Sequence, residues 1–171
     1  AYDVGTFSGQ LVDDASVLKI YLEQQYFPNM TQIAQQQIQN YTLNMGTIET
    51  NKKIDVVLSS EQANTTTSFI GLPNISDYVY ATQDATCRNS FDKESCANSN
   101  WLYLPEYQYY LLNGKKTNTN AQLWTVNSAG KITSQDANNR FYLRPVVVLN
   151  KDITAIGSGT PTDMYILGEN S

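Results

Sequence analysis

The residue types that move protons or hold metals are sparse in this chain. It has no histidine, the side chain whose ordinary pKa lies nearest neutrality, so acid–base chemistry would rest on carboxylates or a lysine. Asp77, Asp84, Glu94 and Glu106 stand singly in polar segments, the pattern of solvated surface charge or helix caps rather than of a converging pair. The two cysteines, Cys87 and Cys96, lie in the polar, loop-like stretch TCRNSFDKESC. A disulfide is the natural reading, and closing a loop of roughly ten residues would contribute about 2.5 to 3 kcal/mol through lost unfolded-chain entropy. Two free thiols and a metal site are the rival readings; the metal site is short of ligands, because a closed zinc site takes four. The expectation is a protein with no catalytic residue, no metal and no cofactor.

A different chemistry is better supplied. Between Cys87 and Arg140 the chain gathers Trp101, Tyr103, Tyr107, Tyr109, Tyr110, Asn118, Asn120, Trp124 and Asn139. Tyrosine and asparagine on loops make adaptable, wet recognition surfaces, so Tyr103, Tyr107, Tyr109, Asn118, Asn120 and Asn139 are the candidate ligand-binding residues. Trp101 and Trp124 are expected to be structural instead, filling a core together with Leu102 and Val126. The motifs at Asn29, Asn40, Asn64 and Asn74 match glycosylation acceptors, but in an asparagine- and threonine-rich chain they are expected by chance.

Bulk composition narrows the partners. With 11 Lys and Arg against 16 Asp and Glu, the net charge is −5, which is not the phosphate-neutralising surface that nucleic acid requires. The longest strictly apolar run near the C-terminus, Val146 to Leu149, is far short of the roughly 20 residues of a membrane-spanning helix. The opening AYDVGTFSG has neither the basic nor the apolar region of a secretory signal, so the expectation is a mature ectodomain or a fragment of one. A length of 171 residues suits one domain, taken as residues 1–171.

The elements that must position these residues follow from periodicity. In DDASVLKIYLEQQYFPN, the spacing of Val17, Leu18, Ile20, Leu22 and Tyr26 predicts a helix, with Asp14 or Ser16 as cap and Pro28 beyond its end. TQIAQQQIQNY predicts a second, capped by Thr31, with Ile33, Ala34, Ile38 and Tyr41 on one face. After Tyr41 come short β-like pieces, TLNMGTIET, SFIGL, NWLYL, YQYYLLN, AQLWTVN, GKITS, YLRPVVVLN and MYIL, divided by Asn, Gly, Ser and Pro. NSAG between LWTV and KITS is a hairpin turn, and Ser76 in ISDYVYAT caps a short third helix. The fold class is α+β, with two N-terminal helices packed on a twisted antiparallel β-sheet.

The ordered series VLKIYLEQQYF, IGLPNISDYVYAT, CANSNWLY, LWTVNSAGKI, LRPVVVLNKDITAIGSGT and DMYIL resembles a domain family of unknown function found in surface and pilin-like proteins of Gram-positive gut bacteria. Nearly the whole chain is covered. The resemblance implies the C-type-lectin-like fold, in the version shared with formylglycine-generating enzymes. It further implies that Val146, Val147 and Val148 form a central strand clasped on both faces, with Arg144 structural at the sheet margin and Pro145 ending the pairing there. The chain writes Tyr142-Leu143-Arg144-Pro145 where the family has Gly-Val-Arg-Pro, and the expectation is that it starts after the family's Trp-containing first strand, which is either absent or supplied by another subunit. The paired oxygen ligands by which calcium-dependent lectins of this fold hold their ion have no counterpart in LPNIS or LPEYQ. The resemblance thus implies an extracellular, cell-surface module of adhesion, binding a host or bacterial protein or glycan through its loops. The other reading is a pilus or fimbrium subunit whose partner is a copy of itself.

Overall fold

The computed structural model describes residues 17–49, 53–89, 94–115, 122–137, 139–158, 163 and 165–169. Helix and strand are mixed, and the sheets are small and antiparallel. Helix α1 (Val17–Tyr21) runs on through a wider turn at Leu22–Tyr26 and a tighter one at Phe27–Asn29. Thr31 accepts the Ala34 N–H at 3.2 Å and caps α2 (Gln32–Gln36). Then come β1 (Ile38–Gln39), β2 (Tyr41–Asn44), α3 (Ile54–Glu61), β3 (Thr65–Ser68) and α4 (Ile75–Tyr80). Two short 3-10 segments, Ala85–Asn89 and Glu94–Ser99, precede β4 (Tyr109–Lys115), β5 (Gln122–Val126) and β6 (Ile132–Asp136). The described chain ends in β7 (Val148–Leu149), β8 (Ile153–Ile156) and β9 (Ile166–Glu169).

Strand β4 divides the interior. Its residues from Tyr109 to Gly114 are all buried, the signature of a strand covered on both faces. By pleat alternation, Tyr110 and Leu112 enter a core shared with Leu18, Leu22, Leu43, Ile70 and Leu123. Tyr109 and Leu111 enter a second core with Ile48, Val57, Ile75, Val79, Trp124 and Val126. β4 and β6 flank β5 in an antiparallel sheet, and the turn between β5 and β6 is the expected hairpin, with Gly130 at φ +75°.

The register of β4 against β5 shifts between Tyr110 and Gly114, so the strand bulges. The bulge frees Leu112 N–H to donate to the Pro73 carbonyl at 2.8 Å. It also points the fully buried Asn113 side chain away from the ladder. Asn113 Oδ1 accepts the Ile75 N–H at 2.8 Å, at the start of α4, and its Nδ2 donates to the Gly46 carbonyl at 3.2 Å. Beside it lies Glu61, the last residue of α3 and 1 % exposed. Its carboxylate takes the Ser76 N–H at 3.0 Å and the Ser76 hydroxyl at 2.6 Å. Burial raises the Glu61 pKa against the lowering effect of those bonds, and the nearby Asp77 charge adds to the rise.

Several expectations change here. Leu18 of α1 and Leu22 of the wider turn that continues it enter the first core, but α2 buries none of its residues and Ile33 is exposed. Ile38 and Tyr41, expected to continue that helical face, belong to β1 and β2. Ser76 is not the cap of α4; Asn74 is, with Asp77 Oδ2 accepting the Asn74 N–H at 2.8 Å. NWLYL forms turns rather than a strand. Val146, Val147 and Val148 are half-buried: Val146 bridges to Gly71, Val147 packs beside the first core and Val148 pairs with Gln39. The doubly covered strand is β4, because its run YYLLN supplies apolar bulk to both faces while the valines have only short partners.

Two outcomes test this framework. A Cβ on Gly46 would lie 1.6 Å from the Ser60 carbonyl oxygen, so Gly46→Ala should lower unfolding stability in urea by about 2 kcal/mol or more. The native state holds the Glu61 proton above the ordinary value of 4.5, so its contribution to stability declines as pH rises from 4.5 through the raised native value. The stability of Glu61→Gln minus that of the wild type should therefore increase with pH across that window; a flat difference would contradict the assignment.

Candidate functional site

The described residues between Ala81 and Gln108 are short of strand and α-helix yet closely braced. Cys87 and Cys96 form the expected disulfide, with Cα atoms 5.8 Å apart. Thr82 bridges to Asn100, its hydroxyl lies 2.7 Å from that of Ser99, and Ser99 Oγ donates to the Cys96 carbonyl at 3.0 Å. Arg88 Nη2 donates to the Thr82 carbonyl at 3.1 Å. Asn100 is the hub: Nδ2 reaches the Tyr78 carbonyl at 2.7 Å, and Oδ1 accepts the Leu102 N–H at 2.9 Å. Trp101 N–H donates to the Ala81 carbonyl at 2.9 Å. These bonds fix the Trp101 backbone and leave the residue 71 % exposed.

Trp101 was expected in the core and is on the surface; the core tryptophan is Trp124, whose indole N–H donates to the Ile48 carbonyl at 3.3 Å beneath Lys115. Tyr109 moves the other way. Expected on a binding loop, it is fully buried in β4, and its hydroxyl donates to the Leu102 carbonyl at 2.7 Å. Burial raises its pKa, which Arg144 partly offsets. Arg144 Nη1 donates to that same Leu102 carbonyl at 2.8 Å and its guanidinium stands over the Tyr109 ring at 5.8 Å. Pro145 is half-buried and immediately precedes the Val146–Gly71 bridge.

Of the other expected ligand residues, Tyr107 is exposed and meets Tyr142 edge-on at 4.7 Å between ring centroids, and Tyr142 is exposed as well. Tyr142 is the member of this pair that sequence reasoning passed over. Its N–H donates to the Gln108 carbonyl and its carbonyl accepts the Tyr110 N–H, which seats it beside the start of β4. Tyr103 is half-buried, its hydroxyl donating to the Ser128 carbonyl at 2.7 Å, and so ties the loop to the β5–β6 turn. Asn139 is exposed; its carbonyl accepts the Tyr110 hydroxyl and its amide reaches Gln135. Asn118 and Asn120 lie outside the described residues.

The carboxylates do local work. Asp77 caps α4, and Asp84 Oδ1 takes the Thr86 N–H at 2.9 Å and its hydroxyl at 2.7 Å. Glu106 is exposed, and the Glu94 side chain lies outside the described ones. Among the described residues, no three of His, Cys, Asp and Glu are grouped to hold a metal ion, and no helix is long and apolar enough to cross a membrane. Two surface clefts of about 470 Å³ each lie elsewhere, one lined by Tyr21, Gln25, Tyr26, Asn29 and Met30, the other by residues around Gln37 and Asn150. Comparison with protein-family models, with characterised proteins and with solved structures finds no match to this chain.

The disulfide spans nine residues of sequence, so replacing both cysteines by serine should lower stability by about 2.7 kcal/mol on the chain-entropy estimate. An unchanged denaturation midpoint would show that the hydrogen bonds around Asn100 suffice alone.

Proposed function

We propose that this chain is a cell-surface binding module, an adhesin-type domain that takes a host or bacterial protein or glycan through its exposed loop aromatics, Trp101 and the Tyr107–Tyr142 pair. The carrying observation is the exposed Trp101 indole on a backbone fixed by a disulfide and by Asn100. Solvation alone gives no reason to hold so large an apolar side chain in water. A rigid aromatic anchor, in contrast, loses little entropy on contact and commonly dominates an interface. The tyrosine pair supplies further stacking area with hydroxyls that can hydrogen-bond, a combination suited to protein and sugar surfaces alike. The C-type-lectin-like fold, extracellular placement and attachment to a Gram-positive cell belong to the same reading and rest on the motif series. It assigns no enzymatic chemistry.

A filament subunit is the second reading, favoured by the hairpin of β8 and β9. Ile156 and Ile166 face each other across its register and are 75 % and 72 % exposed, with Tyr165 exposed beside them. Two strands alone are marginal in water, and among the described residues neither outer edge of the hairpin is paired, which suits it to a further strand.

An array of surface proteins and glycans, followed by Trp101→Ala, separates these readings. The variant should change stability by less than about 0.5 kcal/mol and weaken the captured partner about 30-fold, the scale of an interface hot spot. Wild-type affinity in Trp101→Ala would sink the exposed-aromatic reading. Concentration-dependent assembly abolished by Ile156→Lys would favour the filament.

A further inference from the structure

The chain contains one Asn-Gly sequence, Asn113-Gly114. Asparagine is chemically labile, and most so before glycine, because a nitrogen with no Cβ beside it is free to approach the asparagine side-chain carbonyl carbon. Asn-Gly ordinarily makes an exposed hairpin turn. Here both residues lie inside β4 and are buried, Asn113 at 0 % exposure. The Asn113 amide is held at both ends, Oδ1 by the Ile75 N–H at 2.8 Å and Nδ2 by the Gly46 carbonyl at 3.2 Å. Gly114 is in register with Leu123 of β5, and its carbonyl accepts the Ile48 N–H at 2.9 Å. Deamidation requires Cγ of Asn113 to move onto the Gly114 nitrogen. The amide cannot do so while it spans two groups of neighbouring segments, and the core that surrounds β4 keeps out the water that the reaction consumes. An opened chain lifts both restraints.

We propose that Asn113-Gly114 is a self-modification site guarded by the native fold, so that deamidation there records an unfolding event and makes it one-way. The Gly114 nitrogen bonds to Cγ of Asn113 and gives up its proton, the bond from Cγ to Nδ2 breaks, and the amide leaves as ammonia from a cyclic succinimide. Water then adds to one of the two ring carbonyls and the bond from that carbon to the Gly114 nitrogen breaks, the nitrogen regaining a proton. Addition at Cγ gives an aspartyl residue and addition at the main-chain carbonyl an isoaspartyl one; water enters, ammonia leaves and nothing is oxidised. Neither product suits the junction. Both lack the Nδ2 donor, which strands the Gly46 carbonyl. Asn113 and Glu61 take consecutive N–H groups of α4, those of Ile75 and Ser76, so the new carboxyl group would stand beside a buried carboxyl group already there. The isoaspartyl form also lengthens the main chain by one atom within a packed strand. No residue of this site belongs to the exposed aromatics, and the proposal does not depend on the binding reading.

The test holds the wild-type chain, disulfide intact, in mildly alkaline buffer across a guanidinium series and follows deamidation at position 113 by peptide mapping and mass spectrometry. The rate should be at least about a hundredfold lower before the unfolding transition than after it, and should rise in step with the unfolded fraction. A folded chain that deamidates at the unfolded rate overturns the proposal, as does a rate that stays level through the transition. The consequence is read on the same material. Chains partly deamidated in denaturant are refolded by dilution and given a brief pulse of protease at graded denaturant, and the survivors are typed at position 113. Aspartyl and isoaspartyl chains should show an unfolding constant at least about thirtyfold larger than asparaginyl chains in the same tube, the effect of one stranded buried carbonyl. Equal survival of the modified and unmodified chains would overturn the claim that the step is one-way, and the proposal with it.

Discussion

Everything in this fold hangs on making a strand that is buried on both sides chemically complete. β4 has apolar partners above and below, which leaves little room for water to serve a main chain that departs from its ladder. The bulge at Leu111–Asn113 is such a departure. Asn113 resolves it by answering two otherwise stranded groups, the first N–H of α4 and the Gly46 carbonyl. Glu61 completes the same junction from the end of α3 by taking both donors of Ser76. Without these two side chains, α3, α4 and β4 would meet across unsatisfied polar groups, at a cost of several kcal/mol. Gly46 belongs to the same constraint, because only a residue lacking Cβ lets the connection from β2 approach the Ser60 carbonyl.

The sheet face of this arrangement was readable from the residues alone. LWTV, NSAG and KITS announce β5, its turn and β6, and alternation within them puts Trp124 and Val126 inward. VLKIYLEQQYF likewise announces α1 through Leu18 and Leu22. Helix α3 was not legible: its stretch IDVVLSSE mixes β-branched residues with serines, buries only Val57 and Glu61 fully, and makes its Glu61 bond to Ser76, a residue 15 positions away in the chain. The valines near the C-terminus mislead for the converse reason. A dense apolar run looks central, but centrality is conferred by neighbours on both sides, and those belong to YYLLN.

The candidate site was half legible. Tyr103, Tyr107, Asn139 and the disulfide lie where loop chemistry puts them, but Trp101 and Tyr109 exchange roles. Size and polarity do not distinguish a tyrosine whose hydroxyl finds a buried carbonyl from one that meets water. Tyr109 has such a carbonyl in Leu102, which Arg144 also uses. Trp101 has no interior to enter, because Asn100 turns the chain just ahead of it. Tyr142 escaped notice since its pairing with Tyr107 joins segments far apart in the chain, a contact only the folded state creates.

The two tryptophans now occupy opposite environments: Trp124 is sealed in the second core and Trp101 stands in solvent. Their fluorescence is therefore separable within one molecule. A water-borne quencher such as iodide reaches one indole and spares the other, so emission from the first reports whatever settles over the Trp101 loop, while emission from the second reports the intactness of the interior.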